Sequence, residues 1–298
     1  MVMSAVSRRS VTGRPPRSRL RITARLLAPA TLYYGLFLVI PMAALVVLSF
    51  WHTDGLDLVP GFSFVNYRQL LSDTLYRDIL LRTVLVGVGT AAVTVPVAFG
   101  LAYLLRFVFT RRAQLITQAV MITLFAGYLV RIYSWRTILG REGLLNSFLM
   151  WTGLVDQPLD ALIYSPWAVI IILCCLVLPL AMLPLSSAFA NIPRDHLEVA
   201  RDLGSRRLHL VRTVLLPMAM PGVTTAFAFT FLLSAGDFVT PTLVGGTNGV
   251  MVGNVISNQF RGIGSNWPLG AALVCVTIAI VAVVYLIVVR LLRWWTRW

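Results

Sequence analysis

The chain has 298 residues, 58% of them hydrophobic, and its recurring runs of about 20 apolar residues can each cross a hydrocarbon core of roughly 30 Å. This composition excludes an ordinary soluble domain, and the lack of in–out alternation along the runs excludes a closed barrel. All 25 basic residues are arginine, which gives a formal net charge of +14. Without lysine the chain cannot carry a G-x-x-x-x-G-K-S/T phosphate-binding loop, so any ATPase must be a separate polypeptide.

The chain begins with a basic segment, residues 1–27, that is rich in Arg, Ser and Pro. It has no periodicity, which predicts a disordered cytoplasmic tail resting on anionic membrane lipid. Residues 28–298 form one predicted transmembrane domain. Its six spans are expected at 28–50, 83–105, 113–132, 167–190, 218–239 and 268–289. Between the first two spans, helical spacing of apolar residues over Val65–Leu81 predicts one or two short surface helices.

The arginines are distributed unevenly about these six spans. Most of them fall in the tail, the central loop, the loop between the second and third spans, and the C-terminal end. This is the positive-inside bias of membrane proteins, so both termini are expected in the cytoplasm. The bias accounts for the charge without nucleic-acid binding. The three cysteines lie inside apolar runs and are interpreted as core residues with no disulfide or metal role.

A polar segment, Glu198–Pro217, interrupts the apolar second half of the chain. Asp195 is a suitable N-cap with Glu198 three residues later, which is typical of a capping box. Gly204 can adopt a positive φ at no steric cost, so we expect two short helices that meet there. Taken alone, the segment is equally consistent with a basic cytoplasmic loop that binds no partner.

The spacing in this segment resembles the E-A-A loop of the permease subunits of ATP-binding-cassette importers. The matching residues are Glu198, Ala200, Gly204, Val214, Leu216 and Pro217. Val199 departs from the usual Ala, and Val214 replaces Ile. The resemblance implies an all-α membrane protein of six transmembrane helices with the type I importer permease (MetI-like) fold. It also implies that a coupling loop over 191–217 docks the ATPase, with Glu198, Ala200, Gly204, Leu216 and Pro217 as coupling residues.

Two further stretches, Val130–Asn146 and Gly236–Gly246, resemble the spermidine/putrescine branch of these permeases, specifically the first of its two permease subunits. The implied partners are an ATPase dimer that binds ATP and Mg, a second permease in a heterodimer, and a periplasmic or lipid-anchored solute-binding protein. No cofactor is expected in this chain, and the inner membrane is the expected location. The motifs identify the branch better than the solute, since similar relatives move ferric iron, thiamine or phosphonate.

Asp237 is the only acid within or beside a predicted span, and such acids are costly and usually functional. Its carboxylate would attract an ammonium group. Tyr128, Tyr133 and Trp135 cluster at the outer end of the third span and could add cation–π contacts to a substrate path. The alternative is that Asp237 ends the fifth span and pairs with Arg131, while the aromatic side chains form an interfacial belt.

Two other classes of function stay open at this point. The sequence has no H-E-x-x-H or G-x-S-x-G motif, so an integral-membrane enzyme would need a diffuse active site. A stand-alone carrier would be expected to bury several ionisable groups near the middle of the membrane. The transport subunit is the prediction that accounts for most of the chain.

Overall fold

The computed structural model describes residues 27–295 except 56, 110, 111, 203, 206, 262 and 263. The tail predicted over 1–27 therefore lies, apart from Leu27, outside the described residues. In chain order the helices are α1 (Leu27–Leu48), α2 (Val65–Ser72), α3 (Thr74–Phe107), α4 (Ala113–Ile122), α5 (Tyr128–Leu139), α6 (Leu144–Trp151), α7 (Pro166–Ala190), α8 (Arg194–Asp202), α9 (Arg207–Leu210), α10 (Leu216–Ala235), α11 (Val239–Val244), α12 (Val252–Arg261) and α13 (Trp267–Trp295).

Helices dominate the described residues, as the apolar runs predict. Five of them, α1, α3, α7, α10 and α13, are long and apolar enough to cross a membrane, α10 together with the π-helical turn Val211–Leu215 that leads into it. The number reaches six if α4 and the bent continuation through α5 and α6 count as one span. A short hairpin of β1 (His52–Asp54) and β2 (Asp57–Val59) follows α1. The predicted all-α membrane fold agrees with this arrangement.

The third span was predicted as one continuous helix over 113–132, and this is wrong. After α4, a 3-10 turn over Thr123–Phe125 leads to Ala126 and Gly127, which both have ψ of 133°. That extended backbone ends the i→i−4 hydrogen bonding, and α5 starts at Tyr128. The two parts of the span differ in direction by 99°.

Two other boundaries differ from the sequence prediction. The second span does not start at residue 83, because α3 begins at Thr74, where the Asp73 carboxylate accepts the Leu75 amide at 2.9 Å. Residues 74–81 are therefore part of this long helix and not a separate surface helix. The fifth span ends at Ala235 instead of 239, and at its other end Leu216 and Pro217 already lie in helix.

The core consists of α3, α7 and α10, which pack against one another through small residues. A Cβ at Gly222 would lie 2.6 Å from the Cβ of Ala188, so glycine is required for the approach of α10 to α7. Gly87 gives α3 similar proximity to Phe231. In lipid the hydrophobic effect does not drive helices together, so small residues that allow close van der Waals packing stabilise the contacts between them. By contrast, no residue of α1 is buried.

The bundle has two distinct ends. α8 and α9 follow the end of α7, and we call this the polar-loop end. The opposite end carries α5, α6, α11, α12 and the β-hairpin, and we call it the Asp237 end. At the Asp237 end the amide of Val252 donates to the hydroxyl of Thr83 at 2.9 Å, which fixes the start of α12 on α3.

Candidate functional site

The Asp237 carboxylate lies just beyond the end of α10 and organises the start of α11. Its Oδ1 accepts the amides of Val239 at 2.9 Å and Thr240 at 3.4 Å. Its Oδ2 accepts the hydroxyl of Thr240. A carboxylate at a helix start satisfies amides that have no partner within the helix, so Asp237 caps the start of α11.

Tyr128, the first residue of α5, reaches the same carboxylate. Its hydroxyl donates to Asp237 Oδ2 at 2.7 Å and lies 3.2 Å from the Thr240 hydroxyl. This bond joins the break in the third span to the end of the fifth. Because the acceptor is charged, it is stronger than a bond between neutral groups.

The sequence alternative in which Asp237 pairs with Arg131 is wrong. The Arg131 guanidinium donates through Nη1 to the Leu176 carbonyl at 3.4 Å, and among the described residues its Nε has no hydrogen-bond partner. The oxygens of Asp237 are already engaged by its own loop and by Tyr128. Leu176 lies three residues before Pro179, a position at which helical hydrogen bonding is commonly loosened.

The structure brings only two of the four predicted path residues together. Tyr128 meets Asp237, whereas Trp135 packs against the buried cluster that contains Ile132. Tyr133 is half exposed and lies about 140° around α5 from Tyr128, by the geometry of the α-helix. These two aromatic residues therefore lie apart from the carboxylate.

Asn254, in the first turn of α12, is a further organising residue that the sequence analysis missed. Its amide donates to the Phe238 carbonyl at 2.8 Å and to the Thr242 hydroxyl at 2.6 Å, and its carbonyl oxygen accepts the Met251 amide at 3.0 Å. It lies between the fifth and sixth predicted spans, in a Gly- and Asn-rich stretch whose composition indicates a loop. A single Asn in such a loop carries no sequence signal for these distant partners.

At the polar-loop end, α8 is amphipathic. Leu197 is buried and Ala200 packs against the core, whereas Glu198 is exposed. Gly204 has a φ of +78°, as the turn prediction requires, and the amide of Ser205 donates to the Ala200 carbonyl at 3.1 Å. That bond is the 6→1 link of a Schellman motif, which ends α8. A Cβ at Gly204 would meet no atom within 4 Å.

Comparison with known protein families identifies the family to which this chain belongs. The family described as "Binding-protein-dependent transport system inner membrane component" matches residues 70–297. The chain belongs to this family. It is therefore a transport subunit of an ATP-binding-cassette importer and not an enzyme, as the E-A-A spacing predicted. As a family member it lies in the inner membrane, crosses it several times, and works with a binding protein.

Individual relatives of this permease cover most of its length. The spermidine/putrescine transport system permease protein PotB of Escherichia coli K12 is 32% identical over 254 residues, which is 85% of this chain and 91% of the relative. The inner membrane ABC transporter permease protein YdcU of the same strain is 30% identical over 89% of this chain and 88% of its own. The trehalose transport system permease protein SugB of Mycobacterium tuberculosis is 27% identical over 70% of each chain.

A solved structure shares the fold. A crystal structure of a bacterial ABC transporter involved in the import of the acidic polysaccharide alginate matches with a TM-score of 0.71 and 17% identity. The match covers 94% of this chain and 96% of that one. This likeness confirms the predicted permease fold, and at this identity it shows the fold alone.

Proposed function

We propose that this permease passes a polyamine of the spermidine or putrescine class through the membrane and is the first of two permease subunits in its importer. The observation that carries the proposal is the similarity to PotB over 85% of the chain. Trehalose and alginate, which are named for SugB and the structural neighbour, belong to proteins with lower identity. Ferric iron, thiamine and phosphonate are the competing solutes.

The substrate path is proposed to pass the Tyr128–Asp237 pair. An ammonium group offers three donors and a full positive charge, so it can replace the Tyr128 hydroxyl at Oδ2 while Oδ1 continues to hold α11. Displacement would also remove this contact at the start of α5, next to the break in the third span. Binding of the cation is therefore proposed to move the start of α5. The roles of Tyr133 and Trp135 in this path stay predictions from the sequence.

The ATPase dimer is proposed to dock at the polar-loop end and to hold the ATP and Mg. Glu198, Ala200 and Gly204 would fit its cleft, and Leu216 and Pro217 would carry the movement into α10, with which they are continuous. The exposed face of α8 supports this arrangement. Its exposed acids, three or four residues apart, are Asp195, Glu198 and Asp202. A cleft with a basic lining would complement them.

The orientation and the remaining partners complete the proposal. The polar-loop end and both termini face the cytoplasm, and the Asp237 end faces outward, where a periplasmic or lipid-anchored binding protein delivers the solute. The second permease is a different chain, and it covers apolar surface such as α1, where large hydrophobic side chains are exposed. Lipid covers the rest.

Uptake in cells tests the solute assignment. The permease would be expressed with its partner subunits in a bacterial strain that lacks polyamine uptake, and accumulation of labelled spermidine would be measured. We expect uptake that excess putrescine inhibits and that excess thiamine or trehalose does not. Inhibition by thiamine but not putrescine would replace the polyamine with another solute.

A further inference from the structure

A second polar surface lies next to Asp237 and takes no part in the Tyr128–Asp237 pair. Two pockets, of about 470 Å³ and 340 Å³, open beside α12. Both are lined by Phe238, Ser257 and Arg261, and Asn258 adds a polar group to the larger one. We call these four residues the Arg261 surface.

The charge on this surface is not neutralised within the described part of the chain. Arg261 is exposed at the end of α12 and makes no ion pair or hydrogen bond with any described residue. The sequence has no Asp or Glu after Asp237, so the loop, α12 and α13 bring no acid to it. A permanently charged guanidinium has paired donors that match a carboxylate.

The residues around Arg261 restrict the chemical class of ligand that the Arg261 surface can bind. Asn254 lines the larger pocket, but its amide is already engaged, so Ser257 and Asn258 are the uncharged groups that remain to assist Arg261. Phe238 is 38% exposed and borders both pockets. An exposed aromatic ring beside an arginine is typical of the centre of a protein–protein interface. The guanidinium of Arg261 has donors only, so it offers no acceptor to an ammonium group.

We propose that the Arg261 surface docks the solute-binding protein, and that a carboxylate of the binding protein enters the larger pocket and pairs with Arg261. The inference rests on the proposed orientation, in which the Asp237 end faces outward, and not on the identity of the solute. The Arg261 surface is also connected structurally to the proposed transport site at Asp237. Phe238 follows Asp237 directly, and Asn254 ties the pocket wall to the Phe238 carbonyl.

The test measures docking directly. The complete importer would be reconstituted in nanodiscs, and the Kd of its fluorescently labelled binding protein would be measured with and without spermidine. Arg261→Glu should weaken binding by about tenfold or more, because it places two carboxylates together, and Arg261→Gln should weaken it less. Arg68→Glu makes the same charge change at an exposed residue of α2 and is the matched control.

The outcomes separate this inference from the solute assignment. An unchanged Kd for Arg261→Glu, or an equal loss for Arg68→Glu, overturns the docking proposal, since the second result reflects overall charge alone. Restoration of binding by an Asp→Arg or Glu→Arg change on the binding protein supports a direct pair. If binding depends on Arg261 but spermidine never stimulates the wild-type ATPase, docking stands and the polyamine assignment fails.

Discussion

The hydroxyl of Tyr128 donates a 2.7 Å hydrogen bond to the carboxylate of Asp237, although 109 positions separate the two residues in the sequence. Each residue lies at an interruption of a membrane span: Tyr128 directly follows the extended pair Ala126–Gly127, and Asp237 follows Gly236, the C-cap of α10. The bond therefore connects two segments that are not held by continuous helix. A cation that competes for the carboxylate would act on both.

Tyr128→Phe removes the competing hydroxyl and leaves the aromatic ring. We expect spermidine to bind the nanodisc complex about fivefold more tightly in the absence of binding protein, since one net hydrogen bond no longer has to be broken. Isothermal titration calorimetry measures this. Tyr133→Phe removes a hydroxyl from another side of α5 and should leave the Kd unchanged. Unchanged or weaker binding in Tyr128→Phe would argue against displacement.

Gly204→Asp should leave the protein in the membrane but abolish uptake. An L-residue with positive φ costs roughly 1–2 kcal/mol, and the new side chain would project into the proposed ATPase interface. Gly153→Asp is a close control, because Gly153 also has a positive φ, of +71°, and no atom within 4 Å of a Cβ. Uptake assays on both variants separate coupling from backbone strain.

One result would contradict the proposed coupling role of Gly204. If Gly204→Asp and Gly153→Asp transport equally well, the α8–α9 segment is not a coupling element. Co-purification with the ATPase distinguishes the two ways in which uptake can fail. Loss of the ATPase indicates failed docking, and retention indicates that docking is intact but movement is not transmitted.

The proposed orientation predicts which positions a membrane-impermeant thiol reagent reaches. In a background with the three native cysteines replaced, Asn248→Cys should be labelled in intact spheroplasts. Ser205→Cys should be labelled only after the membrane is opened. Both positions lie outside the long helices, so substitution should not disturb the spans. The reverse pattern at either position would invert the topology.

The sequence predicts the spans well where hydrophobicity controls the structure. Apolar residues continue through Phe125, Ala126 and Gly127, however, so composition cannot register the 99° change of direction there. That change of direction depends on the ψ angles of Ala126 and Gly127. The early start of α3 has a local signal, Asp73 as N-cap, but its polar first turns resemble a surface helix.

The candidate site could be predicted only in part. In the sequence, Asp237 stands out by its charge and Tyr128 by its place at the end of an apolar run. Their hydrogen bond could not be predicted, because it depends on the bend in the third span and on α11. The sequence alternative pairs Arg131 with Asp237, yet Arg131 bonds to the main-chain carbonyl of Leu176. Pro179 signals loosened hydrogen bonding in this part of α7, but nothing in the sequence indicates that Arg131 reaches it.

ATP-driven uptake of labelled spermidine by proteoliposomes containing the complete importer, compared between Asp237→Asn and Asp73→Asn, tests the central claim most directly. Each substitution removes a carboxylate that accepts backbone amides at a helix start, and Asn retains that capping ability. We predict that Asp237→Asn lowers the initial rate at subsaturating spermidine by about thirtyfold or more, as expected for loss of a charged partner, while Asp73→Asn stays near wild type. Wild-type rates in Asp237→Asn, with normal assembly, would contradict a polyamine path at Asp237.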